Sequence, residues 1–137
     1  MPLSGSPLLC AVRGINRTLE FAIKEAQETR RPLYVAFIRE QPVLAEEDLA
    51  RKWQEDDDAA RIFAYAKEKL GAQAFRPCYA VSDSPADTIV DIAATIGAER
   101  LILGTTRRSV LLNVLRGNII RRVARLLPEQ IDLVVCA

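Results

Sequence analysis

The residues best suited to chemistry in this chain lie between Leu101 and Ile120. Leu101-Ile102-Leu103-Gly104-Thr105-Thr106-Arg107 is followed by nine residues and then Gly117-Asn118-Ile119-Ile120. The pattern reads as a buried strand ending at a glycine, an arginine-rich loop, and a second glycine before a helix that Asn118 caps. The first N–H groups of a helix have no intrahelical acceptor, and the helix dipole favours an anion beside them. The segment is therefore a candidate phosphate site made mostly of backbone. The same glycines also have structural uses, Gly104 in a tight turn and Gly117 in close packing before the helix. Residues 104–127 hold Arg107, Arg108, Arg116, Arg121, Arg122 and Arg125 and no acid. A stretch of one sign is either a solvated face or a device that focuses an anionic ligand.

Other chemistries are excluded by composition. The chain has no histidine, which removes Ser-His-Asp and Cys-His catalysis and most zinc and non-haem iron sites. Cys10, Cys78 and Cys136 share no metal-ligand spacing and read as buried, reduced thiols of a cytoplasmic protein. Neither the phosphate-loop lysine motif nor the dinucleotide glycine motif is present. No enzyme is expected on these grounds, with slow ATP hydrolysis left open. A net charge of +1 argues against a dedicated nucleic-acid binder. No apolar run is long enough to enter a membrane, and Met1 to Pro7 does not read as a signal peptide. Residues 46–58 carry seven acids against Arg51 and Lys52, and Asp56-Asp57-Asp58 reads as surface.

The elements that must position the candidate site alternate. Leu8 to Val12 is a continuous apolar run, as a strand buried on both faces should be. Leu19, Ala22, Ile23 and Ala26 mark an amphipathic helix over residues 17–29, which Arg30-Arg31-Pro32 ends. Leu33 to Ile38 is a second strand. A long helix is expected from Glu47 to Leu70, with Leu49, Trp53, Ala60, Phe63 and Leu70 inward and Gly71 ending it. Residues 74–81 form a third strand, near an edge because of Pro77. Ser82-Asp83-Ser84-Pro85 starts a helix whose face is Ile89, Ile92, Ala93 and Ile96, and Gly97 stops it. Leu101 to Leu103 is the fourth strand. Ile119, Ile120, Val123, Ala124 and Leu127 are the apolar positions of the last helix, and Ile131 to Cys136 is the fifth strand.

Residues 1–137 thus form one α/β domain, a single open five-stranded parallel sheet with helices on both faces. Leu9 to Val12, Val35 to Phe37, Leu101 to Leu103 and Leu133 to Val135 are expected to be nearly fully buried. Ligands of such sheets sit beyond the carboxyl ends of the strands, where strand order reverses. Arg13-Gly14 and Gly104 both fall at strand ends and are expected to share one cleft.

At this point the chain resembles the universal stress protein family over essentially its whole length. The family's motif is glycine, two residues, glycine, nine residues, then glycine followed by serine or threonine. Gly104 and Gly117 match its first and last glycines at that spacing. Asp83-Ser84-Pro85-Ala86 is similar to the family's turn before its third helix, and Ile131 to Val135 to its closing strand. The resemblance implies the adenine nucleotide alpha hydrolase-like fold and an ATP or AMP site, with magnesium accompanying the nucleotide. Its glycine loop, here Gly104, Thr106, Arg107, Gly117, Asn118 and Ile119, wraps phosphates and ribose. The strand ends Val12, Arg13, Phe37 and Leu103 complete the candidate site. Arg107 stands at the second glycine position, Asn118 at the serine or threonine, and Arg13 where the family has an aspartate. Arg107 either reaches a phosphate bidentately or fills the cleft and excludes the nucleotide. The resemblance also implies a homodimer through the C-terminal strand. The flavour of the loop is closer to universal-stress domains attached to transporters and sensor kinases, so a transporter or sensor is a candidate partner. The reading is a regulatory domain that binds an adenine nucleotide or related phosphorylated ligand. The alternative is a dimerisation or interaction domain without nucleotide binding.

Overall fold

The computed structural model describes residue 3 and residues 5–104 and 119–136. Its strands are β1 (Leu8–Ala11), β2 (Leu33–Glu40), β3 (Phe75–Ser82), β4 (Arg100–Gly104) and β5 (Asp132–Cys136). They pair only in parallel, in the order β3-β2-β1-β4-β5. The helices are α1 (Arg17–Thr29), α2 (Glu46–Leu49), α3 (Asp57–Leu70), α4 (Pro85–Ile96) and α5 (Ile119–Leu126), with a 3-10 turn at Trp53–Glu55.

Alternate side chains of each strand serve opposite faces. Leu8, Cys10, Val35, Phe37 and Ile102 pack with α1 and α3. Leu9, Ala36, Ile38, Leu101 and Leu103 pack with α4 and α5 on the other side. Burial on both faces is why the inner strands read as continuous apolar runs. Asn16 caps α1 by accepting the Leu19 N–H at 3.0 Å. Arg30 ends the helix in the left-handed conformation at φ 56, a position more often given to glycine.

The expected single helix from Glu47 to Leu70 is broken. Asp56 adopts an extended backbone, and its carboxylate accepts the Ala59 N–H at 3.3 Å, so a new helix begins there. Leu49, assigned to the inner stripe, is 64 % exposed. Asp56 itself is buried rather than on the surface. Arg39 donates to both of its oxygens, at 3.0 and 2.8 Å, and Tyr79 donates to it at 2.8 Å. That cluster ties the start of α3 to the ends of β2 and β3.

Further expectations are corrected at the rims. Val135 is 42 % exposed, and Leu133 and Val134 are only half-buried. β5 is an edge strand, so an apolar run there is covered less completely than in the centre. Ala11, at the end of β1, is half-buried too. Only Val123 of α5 is sealed, while Ile119 is exposed. Cys10 is buried, and burial pushes its thiol pKa up, but Cys78 and Cys136 are half-buried. Ser84 occupies the cap position of α4, yet its hydroxyl donates to Asp87 at 2.8 Å instead of capping.

The two sheet edges differ. Leu33 N–H donates to Ala74 O and Gln41 N–H to Ser82 O, so even-numbered residues of β3 face β2 in the ladder and Pro77 faces outward. A proline there removes a donor from the open edge without loss to the sheet. Asp132 N–H donates to Glu99 O, which turns the backbone groups of Leu133 and Val135 to the other open edge.

The Arg39 guanidinium beside it holds the Asp56 carboxyl at about 2, below its ordinary 3.8. A depressed folded value means the stabilisation is fully present above pH 3.8 and is lost as pH falls towards 2. Asp56→Ala is expected to lower stability by about 2–3 kcal/mol through lost charge-assisted bonds and the lost cap. Urea unfolding across the acid range is expected to show a shallower loss of stability in Asp56→Asn than in wild type.

Candidate functional site

β1 lies between β2 and β4, and strand order reverses across it. The chain leaves β1 for α1 on one face of the sheet and leaves β4 towards α5 on the other. The carboxyl ends of β1 and β4 are therefore the switch point of the sheet, the place where ligands of such folds bind. Ala11 pairs in register with Leu103, so Arg13-Gly14 and Gly104 follow the ends of neighbouring strands.

At the end of β4 the first turn of α1 packs directly against the strand. A Cβ placed on Gly104 would collide with Thr18 Oγ1 and lie 3.1 Å from Thr18 Cβ. Thr18 is in the first turn of α1 and is 6 % exposed. Gly104 therefore has no room for a side chain on the face that α1 covers.

The strand-end residues divide between the faces. Val12 and Phe37 are buried on the α1 and α3 side, Leu103 on the α4 and α5 side. The Phe37 ring stacks on Tyr79 at 6.1 Å between centroids, with the Arg39 guanidinium 4.8 Å from its own centroid. Arg13 is solvent-exposed, and its Nη2 lies 3.9 Å from Glu40 Oε1 at the end of β2. Ile119 is the first residue of α5. Thr106, Arg107, Gly117 and Asn118 lie outside the described residues, as do the intervening apolar positions Val110 to Leu112, Val114 and Leu115.

Arg122 is already engaged. It donates to both oxygens of Asp87, at 2.9 and 3.1 Å, and so joins α5 to the first turn of α4. This bond, followed by that from Ser84, lowers the Asp87 carboxyl pKa. Neither reading of the α5 arginines from sequence included that clamp, although Arg122 remains 55 % exposed. Asp56, Thr18 and Glu40 were also missed. An aspartate three residues before Ala59, in front of the periodic Ile62-Phe63-Ala66, was the available signal for Asp56.

Two open grooves lie away from this switch point. One of about 370 Å³ runs between β3 and α4 beside Cys78, Ala80, Ile92 and Ile96. Another of about 220 Å³ lies between the ends of α1 and α3, beside Ala26, Arg30 and Leu70. No group of three or more metal-ligating side chains occurs among the described residues. Nor is any described helix long and apolar enough to cross a membrane.

With this geometry in place, comparison with known proteins is decisive for the family. Residues 14–136 match the model of the Universal stress protein family. The chain belongs to that family. A universal stress protein solved in complex with cAMP superimposes with a TM-score of 0.74 at 19 % identity, covering 96 % of this chain and 97 % of that one. The Archaeoglobus fulgidus universal stress protein in complex with dAMP gives 0.67 at 21 % identity, covering 97 % and 98 %. An Arabidopsis thaliana family member with AMP bound gives 0.56 at 10 % identity, covering 97 % and 93 %. No curated protein matches the chain. Identities this low establish the shared fold of this universal stress domain.

Gly104→Ala is expected to destabilise the domain by about 1–3 kcal/mol, because Thr18 is β-branched and held at χ1 within a helix. Thermal unfolding of Gly104→Ala, Thr18→Ala and the double variant checks the contact. The double variant should lose less stability than the two single losses added together.

Proposed function

We propose that this universal stress domain binds an adenine nucleotide or related phosphorylated ligand beyond the ends of β1 and β4, and acts as a regulatory module. The observation that supports this reading is the switch point of the sheet: β1 lies between β2 and β4, and Arg13 and Gly104 lie at the carboxyl ends of the paired strands β1 and β4. Family members of the same fold have been solved with cAMP, dAMP and AMP, which supports adenine nucleotides as the class to test first. Arg13 and Arg107 add positive charge where the family pattern has aspartate and glycine, so a polyanionic ligand suits this chain better than a nucleoside.

Calorimetric titration with ATP, ADP, AMP and cyclic dinucleotides, with and without magnesium, tests the reading. Wild type is expected to bind at least one of them, and Arg107→Gly to bind it more weakly. A charge-assisted contact is worth about 1.5–3 kcal/mol, enough to matter at micromolar affinity. If only Arg107→Gly binds, Arg107 plugs the cleft. If neither binds, the nucleotide reading fails and an interaction module replaces it.

We also propose a homodimer through β5. Pro77 blunts the β3 edge, whereas Leu133 and Val135 offer backbone groups at an open edge with only Asp132 to deter pairing. Light scattering is expected to report a dimer at tens of micromolar, roughly the range for a standard interface, and Val135→Pro is expected to shift it to monomer. A wild-type monomer at that concentration contradicts the proposal.

A further inference from the structure

The open edge of β5 determines how a second copy can sit on it. In a parallel pair, residues alternate between those whose backbone groups face the neighbouring strand and those whose groups face away. Asp132 stands in register with Arg100 and donates its N–H to Glu99 O. Asp132, Val134 and Cys136 therefore direct their backbone groups at β4, while Leu133 and Val135 direct theirs outward, where β5 ends the strand order. The side chains alternate as well. Val134 and Cys136 pack on the α1 and α3 face, and Leu133 packs on the α4 and α5 face.

Symmetry removes most of the possible pairings. A two-fold axis along the strands would set every residue beside its own copy, and a parallel ladder bonds residues that are offset by one. A closed two-fold pair at this edge is therefore antiparallel. In an antiparallel ladder, residues with outward groups must stand opposite each other. When Leu133 faces the copy's Val135, both outward residues of each strand are bonded and all five positions of β5 are paired. Setting Leu133 or Val135 opposite itself leaves the other without a partner inside the strand. Charge favours the same register. It sets the two Asp132 carboxylates four residues apart, each opposite the copy's Cys136, whereas centring on Leu133 brings them within two.

We propose that two copies of this chain join through antiparallel β5 strands with Val134 on the two-fold axis, opposite its own copy, and Leu133 opposite the copy's Val135. The proposal rests on the dimer reading above and fixes its register. It also accounts for the incomplete burial of β5. The half-buried Val134 meets the copy's Val134 in a non-hydrogen-bonded pair, with Cα atoms about 4.5 Å apart. Val135, 42 % exposed, meets the copy's Leu133 in a hydrogen-bonded pair at about 5.5 Å.

Added cysteines test the register, because both separations lie within the span of a disulfide. Leu133→Cys, Val134→Cys and Val135→Cys are each combined with Cys136→Ser, which removes the native thiol of β5, and oxidised with copper phenanthroline at a concentration where light scattering reports a dimer. Val134→Cys is expected to convert largely to a covalent dimer. Leu133→Cys and Val135→Cys are expected to couple poorly alone and to couple to each other when mixed. Should Val134→Cys not fold, the mixed pair decides. Stronger self-coupling at Leu133→Cys or Val135→Cys than at Val134→Cys overturns the register while a dimer through β5 stands. A dimer that couples at none of the three positions overturns the register and the β5 interface together, as does a chain that scatters as a monomer.

Discussion

At the end of β4 the chain carries no side chain, and the first turn of α1 presses Thr18 against that gap. The contact fixes the distance between the start of α1 and the end of β4. It holds because both partners are anchored elsewhere. α1 is clamped by Leu19, Ala22, Ile23 and Ala26, all buried against the sheet, and β4 is sealed at Leu101, Ile102 and Leu103. Packed interiors have little room to absorb an added methyl group. The meeting of α1 with the end of β4 is thus a product of core packing.

Charge is arranged around this frame in pairs. Arg39 with Asp56 and Asp58 braces the ends of β2 and β3, Arg122 with Asp87 braces α4 against α5, and Arg31 with Glu99 and Arg100 with Glu25 brace the opposite end of the sheet. Apart from Arg39 with the buried Asp56, pairs of this kind are largely exposed and contribute little stability each. Their consequence for binding is different. They commit several arginines to carboxylates, whereas Arg13 at the end of β1 is held only loosely, 3.9 Å from Glu40.

The alternation of strands and helices was legible because each inner strand is a short apolar run with punctuation at its ends. α1 was legible to the residue, since Asn16 and Pro32 bracket a clean helical stripe. Pro77 correctly pointed to an edge. The break at Asp56 was hidden inside a run of three aspartates, where local pattern does not reveal that one will be pulled inward by Arg39, seventeen residues away. The exposure of Val135 was hidden for a related reason: an apolar run reports burial of side chains but not whether another strand lies beyond. The positions of Gly104 and Arg13 at the ends of β4 and β1 could be read from local spacing. Thr18 and Glu40 could not, because their meaning comes from contacts across the fold.

The proposed nucleotide site lies at the carboxyl ends of β1 and β4. Amide chemical-shift mapping of the full chain on adding AMP tests it most directly. The account expects the largest shifts at residues 12–18, at Gly104 and at the start of α5. Shifts confined to the groove beside Cys78 and Ile92, or no shifts at all, would contradict it.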